Sequence, residues 1–351
     1  MHLAIYDAVV AITATHRPYA VTPVADTAGA SQEAAVIAAA YGVLKTLYPN
    51  RGVLYEGEYD SAVAALPAGD AKTKGLALGA EVAQKLLAQR GDDGRSVVLA
   101  AYVPGTAPGQ FRGTNPVNRH LPYMKPFAMT GAAQFRTAAP PALASAAYAA
   151  DYNETRTLGS ALSTARTGAQ LEAARFHTEP PPSFWPRNLR NFAMTGRSIA
   201  EHARLMAMVY TALADAGIAC FESKYFYQAW RPTSAITLGD TDGNAGTTPD
   251  TAWTPVVPTP NHPEYPGGHA CLSSAVGEAM KAYYRTSDIS FTFNSTVTGT
   301  SHSYTSPQGL IGDSQLARIA GGMHFRSATV AGVTLGTSVG QWVAGHHFQP
   351  R

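Results

Sequence analysis

The chain has 351 residues, 45% of them hydrophobic and only 14% charged, with a formal net charge of +2. That length is enough for one large domain or two ordinary ones with a sizeable core. The near-balanced charge excludes a general polyanion-binding field, so nucleic acid is not an expected partner. Few charges among many small residues point to tightly packed helices, and are compatible with a homo-oligomer that hides surface.

The opening MHLAIYDAVVAI lacks the basic n-region of a signal peptide, and Asp7 interrupts its apolar run. Residues 2–13 therefore read as an amphipathic helix. Localisation stays open, a mature exported form included. Nowhere does an apolar run reach the ~18 residues of a membrane span. SQEAAVIAAAYGVLKTLY, residues 31–48, is a second helix with Ser31 as N-cap, and residues 69–90 make a third, closed by Gly91. SVVLAAYV at 96–103 alternates like a strand, and a long Pro- and Gly-rich segment at about 103–140 reads as a wrapping or functional loop.

Helical patterning resumes at 141–150 and 161–176, after which Pro180, Pro181 and Pro182 read as a break. Ser198 and Glu201 have capping-box spacing before a helix whose buried face carries Leu205, Met208, Val209, Ala212, Leu213 and Ala216. FAMTG occurs at 127 and again at 192, too short a repeat to argue duplication. Residues 238–264 read as loop, 290–297 as a strand, and 268–284 and about 325–344 as helices. Cys220 and Cys271 are the only cysteines and read as buried free thiols. The expectation is an all-α fold: one helical bundle with long irregular loops over 1–351, its active-site half at about 195–351.

Three separated segments place cations and histidines in unusual settings. KYFYQAWRP carries Lys224 and Arg231 seven positions apart; on one helix they would share a face, although Pro232 disfavours helix at Arg231. YPGGHACLSS carries Gly267, Gly268 and His269 at a helix start, where free backbone N–H groups favour an anion. ARIAGGMHFR carries Arg318 and His324, with Gly321 and Gly322 between them ending one helix. Guanidinium forks, a lysine and two histidines suit a tetrahedral oxyanion and a nucleophile or ligand with an acid/base.

Together these segments resemble the vanadium-dependent haloperoxidase and type 2 phosphatidic acid phosphatase superfamily. Its motifs are K-x6-RP, PSGH and SR-x5-H. MHLAIYDAVVAI, Phe184-Trp185, LADAGIA and DTAWTPVVPTPNHPEYPGGH look like the bacterial haloperoxidase-related branch. The chain departs at Gly267 and Ala317, where the family has serines. The resemblance implies vanadate as cofactor, with phosphate able to take the same place. His324 would be the axial vanadium ligand, or the nucleophile of a phosphatase. Lys224, Arg231, Arg318 and the Gly268 N–H would hold the equatorial oxygens, with Gly267 at the missing serine donor. His269 would meet the apical oxygen and move protons, and Lys224 would polarise bound hydrogen peroxide. Halide and a small organic acceptor would be the other substrates. His262 stands where algal bromoperoxidases carry a histidine, which favours bromide; Phe221 and Trp230 are further halide-pocket candidates. The alternatives are a soluble acid phosphatase and a relative that has lost vanadate. Asp215 and Glu222, just before Lys224, are candidates to orient an arginine.

Overall fold

The computed structural model describes residues 1–193 and 196–351. Met194 and Thr195, inside the second FAMTG, lie outside the described residues. Among the described residues the regular structure is twelve α-helices, two short 3-10 turns and one two-stranded antiparallel ribbon, so the architecture is helical as expected. The chain falls into two compact units.

The first unit comprises Met1–Asp93, Met194–Tyr210 and Ala344–Arg351. It contains α1 (His2–Thr13), α2 (Gln32–Leu47), α3 (Gly52–Ala64) and α4 (Asp70–Gln89). The Ser31 hydroxyl caps α2 by accepting the Ala34 N–H at 3.2 Å. α2 and α4 approach closely because small residues face each other: a Cβ on Gly79 would lie 2.3 Å from the Ala35 carbonyl. Helix α3 was not anticipated; none of its residues is buried, so it carries no apolar periodicity to read.

The second unit comprises Gly94–Ala193 and Thr211–Val343. It contains α5 (Ala146–Gly159), α6 (Gly168–Phe176), α7 (Pro181–Ala193), α9 (Pro232–Thr237), α10 (Gly268–Tyr284) and α11 (Pro307–Ala320), with most of α8 (Ile199–Tyr227) and α12 (Arg326–His346). Strand β1 (Phe291–Asn294) pairs with β2 (Ser301–Tyr304). Helix α6 ends at Phe176, so the break expected at the prolines is present, but a new helix begins on them. Pro181 and Pro182 open α7, because the first turn of a helix has no use for their missing N–H groups. Residues 97–103 form no strand, and Val98 and Val103 are exposed.

Helix α8 is long and apolar enough to cross a membrane by length and composition, but 72% of its most apolar window is buried inside the protein. It also buries Asp215 and Lys224. The start of α10 is set by α12. Gly332, Gly336 and Gly340 recur every fourth residue, and a Cβ on each would strike Gly267, Cys271 or Ala275 backbone within 2.6 Å. This glycine ridge lets α12 lie directly against α10, and so fixes where Gly268 and His269 point.

Candidate active site

Lys224 lies in the last turn of α8 and is fully buried. Its ammonium donates to the carbonyls of Pro263 at 3.0 Å and Glu264 at 2.9 Å, and to that of Pro266. Those three acceptors match its three hydrogens. The chain leaves the helix at Tyr227, and Gln228 takes φ +48°. Arg231 and Lys224 therefore do not share a helix face. Arg231 instead caps α9, whose first residue is Pro232. Its Nε donates to the His262 carbonyl at 2.7 Å and its Nη1 to the Met323 carbonyl at 2.9 Å.

Gly322 (φ +76°) reverses the chain after α11 beside Gly159, where a side chain would strike the Gly159 carbonyl. The Met323 and His324 N–H groups then donate back to the Arg318 carbonyl at 3.0 and 3.3 Å. This turn brings Arg318 and His324 to one place despite the helix break between them. The Nη1 of Arg318 donates to the His177 carbonyl at 3.0 Å, whereas its buried Nε has no hydrogen-bond partner.

His324 Nδ1 lies 3.0 Å from Glu264 Oε1, and both side chains are almost wholly buried. Its Nε2 lies 3.2 Å from Arg231 Nη1. A guanidinium can only donate, so Nε2 is the unprotonated nitrogen and Nδ1–H donates to the carboxylate. Glu264 also accepts the Phe325 N–H at 3.0 Å. A carboxylate on the far nitrogen fixes ring and tautomer and raises the basicity of Nε2, as in metal-binding histidines. Sequence reasoning missed Glu264. Its only signal was a lone acid among prolines in NHPEYP, a loop with no periodicity to orient it.

Burial governs the ionisation here. It lowers Lys224 to about 8, Arg231 to about 10 and Arg318 to about 9, so the arginines remain cations at neutral pH. It also pushes His324, His269 and His262 well below the ordinary histidine value, with Arg231 or Arg318 adding repulsion. Glu264 is raised to about 7 by burial, against the pull of Lys224 and Arg231. Three buried cations against one buried carboxylate leave positive charge that a dry interior holds only at high cost.

A cavity of about 420 Å³ opens over this cluster, lined by Gly268, His269, His262, Arg318 and His324. Its outer wall is apolar, with Phe221, Leu272, Pro180, Pro181, Pro258 and Pro260. His262 lies 2.9 Å from Arg231 Nη2 through its Nδ1, and its ring is 5.1 Å from that of Phe221. His269 Nε2 lies 3.3 Å from the Glu179 carbonyl. Gly267 N–H donates to the Ala328 carbonyl at 2.7 Å, and the residue is not on the cavity wall. Trp230 sits in an aromatic core with Tyr148, Tyr152 and Trp253, also off the wall. Asp215 orients no arginine of the cluster: it accepts the Phe127, Ala128 and Met129 N–H groups at 2.7, 2.7 and 2.9 Å. Glu222 pairs with Arg136.

The residues fit a vanadate-like oxyanion. The orphaned Arg318 Nε, on a side chain that lines the cavity, is an unused donor for an oxygen. Gly268 opens α10, where the first N–H groups lack intrahelical acceptors. His324 Nε2 carries a lone pair for a metal centre. The structure thus shows a helical-bundle protein with a buried, net-cationic cluster beside a cavity.

The comparisons agree with that class. Residues 204–350 match the family described as the VCPO second helical-bundle domain. The vanadium chloroperoxidase of Curvularia inaequalis is 31% identical over 120 residues, 30% of this chain but only 20% of that protein. The fold is that of a crystal structure described as the first bacterial vanadium-dependent iodoperoxidase, with TM-score 0.83, 22% identity, and coverage of 99% of this chain and 89% of the other. A holo-type bacterial vanadium-dependent chloroperoxidase gives TM-score 0.78 at 16% identity, covering 98% of this chain and 89% of the other.

Proposed function

We propose that the chain is a vanadate-dependent haloperoxidase that oxidises halide with hydrogen peroxide. The observation that carries this reading is His324: a buried neutral imidazole, held by Glu264 through Nδ1 and offering Nε2 among Arg231, Arg318 and Lys224. Arg318, Arg231 and the Gly268 N–H would hold the cofactor's oxygens, His324 Nε2 its metal, and His269 would take or give a proton at the cavity side. Bound vanadate supplies an electrophilic centre at which peroxide is activated for oxygen transfer to halide. The protein's part is electrostatic preorganisation in a water-poor site. Lys224 can serve that site as a cation beneath Gly268; its Cε lies 3.8 Å from where a Gly268 Cβ would stand. The apolar proline wall suits a small organic acceptor of the hypohalous product. Bromide is the proposed halide, on His262 at the cavity wall beside Phe221.

The test is reconstitution with orthovanadate, followed by bromination of a dimedone-type acceptor at acidic to neutral pH. Turnover with bromide, lost in His324→Ala, is the expected result. Tight vanadate binding with no oxidation of bromide, iodide or chloride would sink the peroxidase reading. Aryl-phosphate hydrolysis by vanadate-free protein, inhibited by vanadate, would replace it with a phosphatase.

A further inference from the structure

A second cluster of chemistry-bearing side chains lies in the same unit and takes no part in the proposed reaction. His177 caps the C-terminus of α6, His302 lies on β2 and Asp313 on α11. Asp313 Oδ2 is 3.0 Å from His177 Nε2 and 3.0 Å from His302 Nδ1, and one ligand atom from each of the three lies within 4.8 Å of the others. A tetrahedral site with ligand bonds of about 2.0–2.1 Å has edges of roughly 3.3 Å, so little movement separates these atoms from a coordination shell.

Three features go beyond a chance meeting of polar groups. His302 Nε2 lies 2.6 Å from Glu172 Oε2, the outer carboxylate that holds a ligating imidazole and frees its other nitrogen. The His302 ring stacks on Phe176 at 3.9 Å, which sets its orientation. Access is one-sided: His177 is 3% exposed, while His302 and Asp313 are 22% and 25% exposed.

We infer that His177, His302 and Asp313 form a binding site for a divalent transition-metal cation of the zinc type. Two imidazoles and one carboxylate are borderline ligands that favour zinc over calcium or magnesium, with a fourth position left for water. The Tyr304 hydroxyl donates to Asp313 Oδ2 at 2.7 Å. The cation would tie α6 and β2 to α11. His177 also gives its carbonyl to Arg318 Nη1 at 3.0 Å, and Arg318 is on α11 with Asp313. Occupancy would therefore stiffen the support of one arm of the oxyanion cradle. The inference does not rest on the peroxidase reading.

The test uses the full chain, stripped with EDTA and free of tags, titrated with zinc chloride by calorimetry and with cobalt(II) by visible absorption. One zinc per chain, a cobalt band of tetrahedral intensity, and a rise in Tm on zinc addition are expected. Glu172→Gln should weaken zinc about 10–100-fold with unchanged far-UV circular dichroism, and His302→Ala should abolish the cobalt band. Absence of stoichiometric zinc binding by the folded protein overturns the inference. So does zinc affinity unchanged in both Glu172→Gln and His302→Ala, which would place the ion on other histidines.

Discussion

Two buried charge clusters in the second unit solve the same problem in opposite ways. Asp215 is fully buried and takes three consecutive backbone N–H groups, those of Phe127, Ala128 and Met129. The first unit repeats the device with Asp7, which takes the N–H groups of Tyr19, Ala20 and Val21. A carboxylate so surrounded is solvated by the backbone and pins a loop to a helix. The cradle differs. Its cations outnumber the one carboxylate among them, a guanidinium nitrogen is orphaned, and a cavity adjoins it. Buried charge answered by backbone groups holds the fold together, whereas the charge left partly unanswered beside the cavity is what the proposed oxyanion would answer.

The sharpest way to break this contrast is to remove a member of each cluster. Asp215→Ala strips the acceptor from three N–H groups and should cost about 3–5 kcal/mol of stability, read by urea unfolding. A loss under about 1 kcal/mol would show that the clamp is not structural. Arg318→Met should do the reverse. Unfolding stability should hold or rise, because an underpaired buried charge becomes apolar volume, while vanadate affinity by calorimetry should fall about 10²–10³-fold. Equal effects on both quantities would erase the distinction.

Glu264→Gln tests the bridge between the two kinds of cluster, since Glu264 is buried like the clamps yet serves His324. Vanadate affinity should drop about 10–100-fold as Nδ1–H loses a charged acceptor. In the unliganded protein Glu264 ionises near 7 and Lys224 loses its proton near 8. Vanadate binding should therefore rise with pH on an acidic limb near 7, which Glu264→Gln removes, and weaken beyond about 8. Stability runs the other way for this carboxyl. Its folded pKa is raised, so its contribution is complete below the unfolded value and is lost as pH rises through about 7.

The smallest effect is expected at Gly267→Ser. A Cβ there would meet the Ala328 carbonyl oxygen at 3.2 Å and Thr329 Cα at 3.3 Å, and backbone atoms cannot step aside cheaply. Stability should fall by about 1 kcal/mol, measured by thermal unfolding. An unchanged Tm would mean that α12 yields, and that the family's serine was excluded for some other reason than packing.

Amphipathic periodicity located α2, α4, α10 and the buried face of α8, since a helix buried on one side must repeat its apolar residues every three or four positions. The motif residues Gly268, His269, Arg318 and His324 were legible from spacing and resemblance, and all four line the cavity. Helix α7 was not, because prolines that break a helix interior also begin one, and only the chain's path distinguishes the two. Nor was Glu264, whose role depends on a contact sixty residues away. Lys224 stood out in the sequence as a motif cation, but its binding by three loop carbonyls did not. Sequence by itself determined which residues carry charge and which helices carry a buried face, because these are local properties. Tertiary structure alone decided which charges are answered and which nitrogen of His324 is unprotonated, because hydrogen bonds made across the chain are absent from any local pattern.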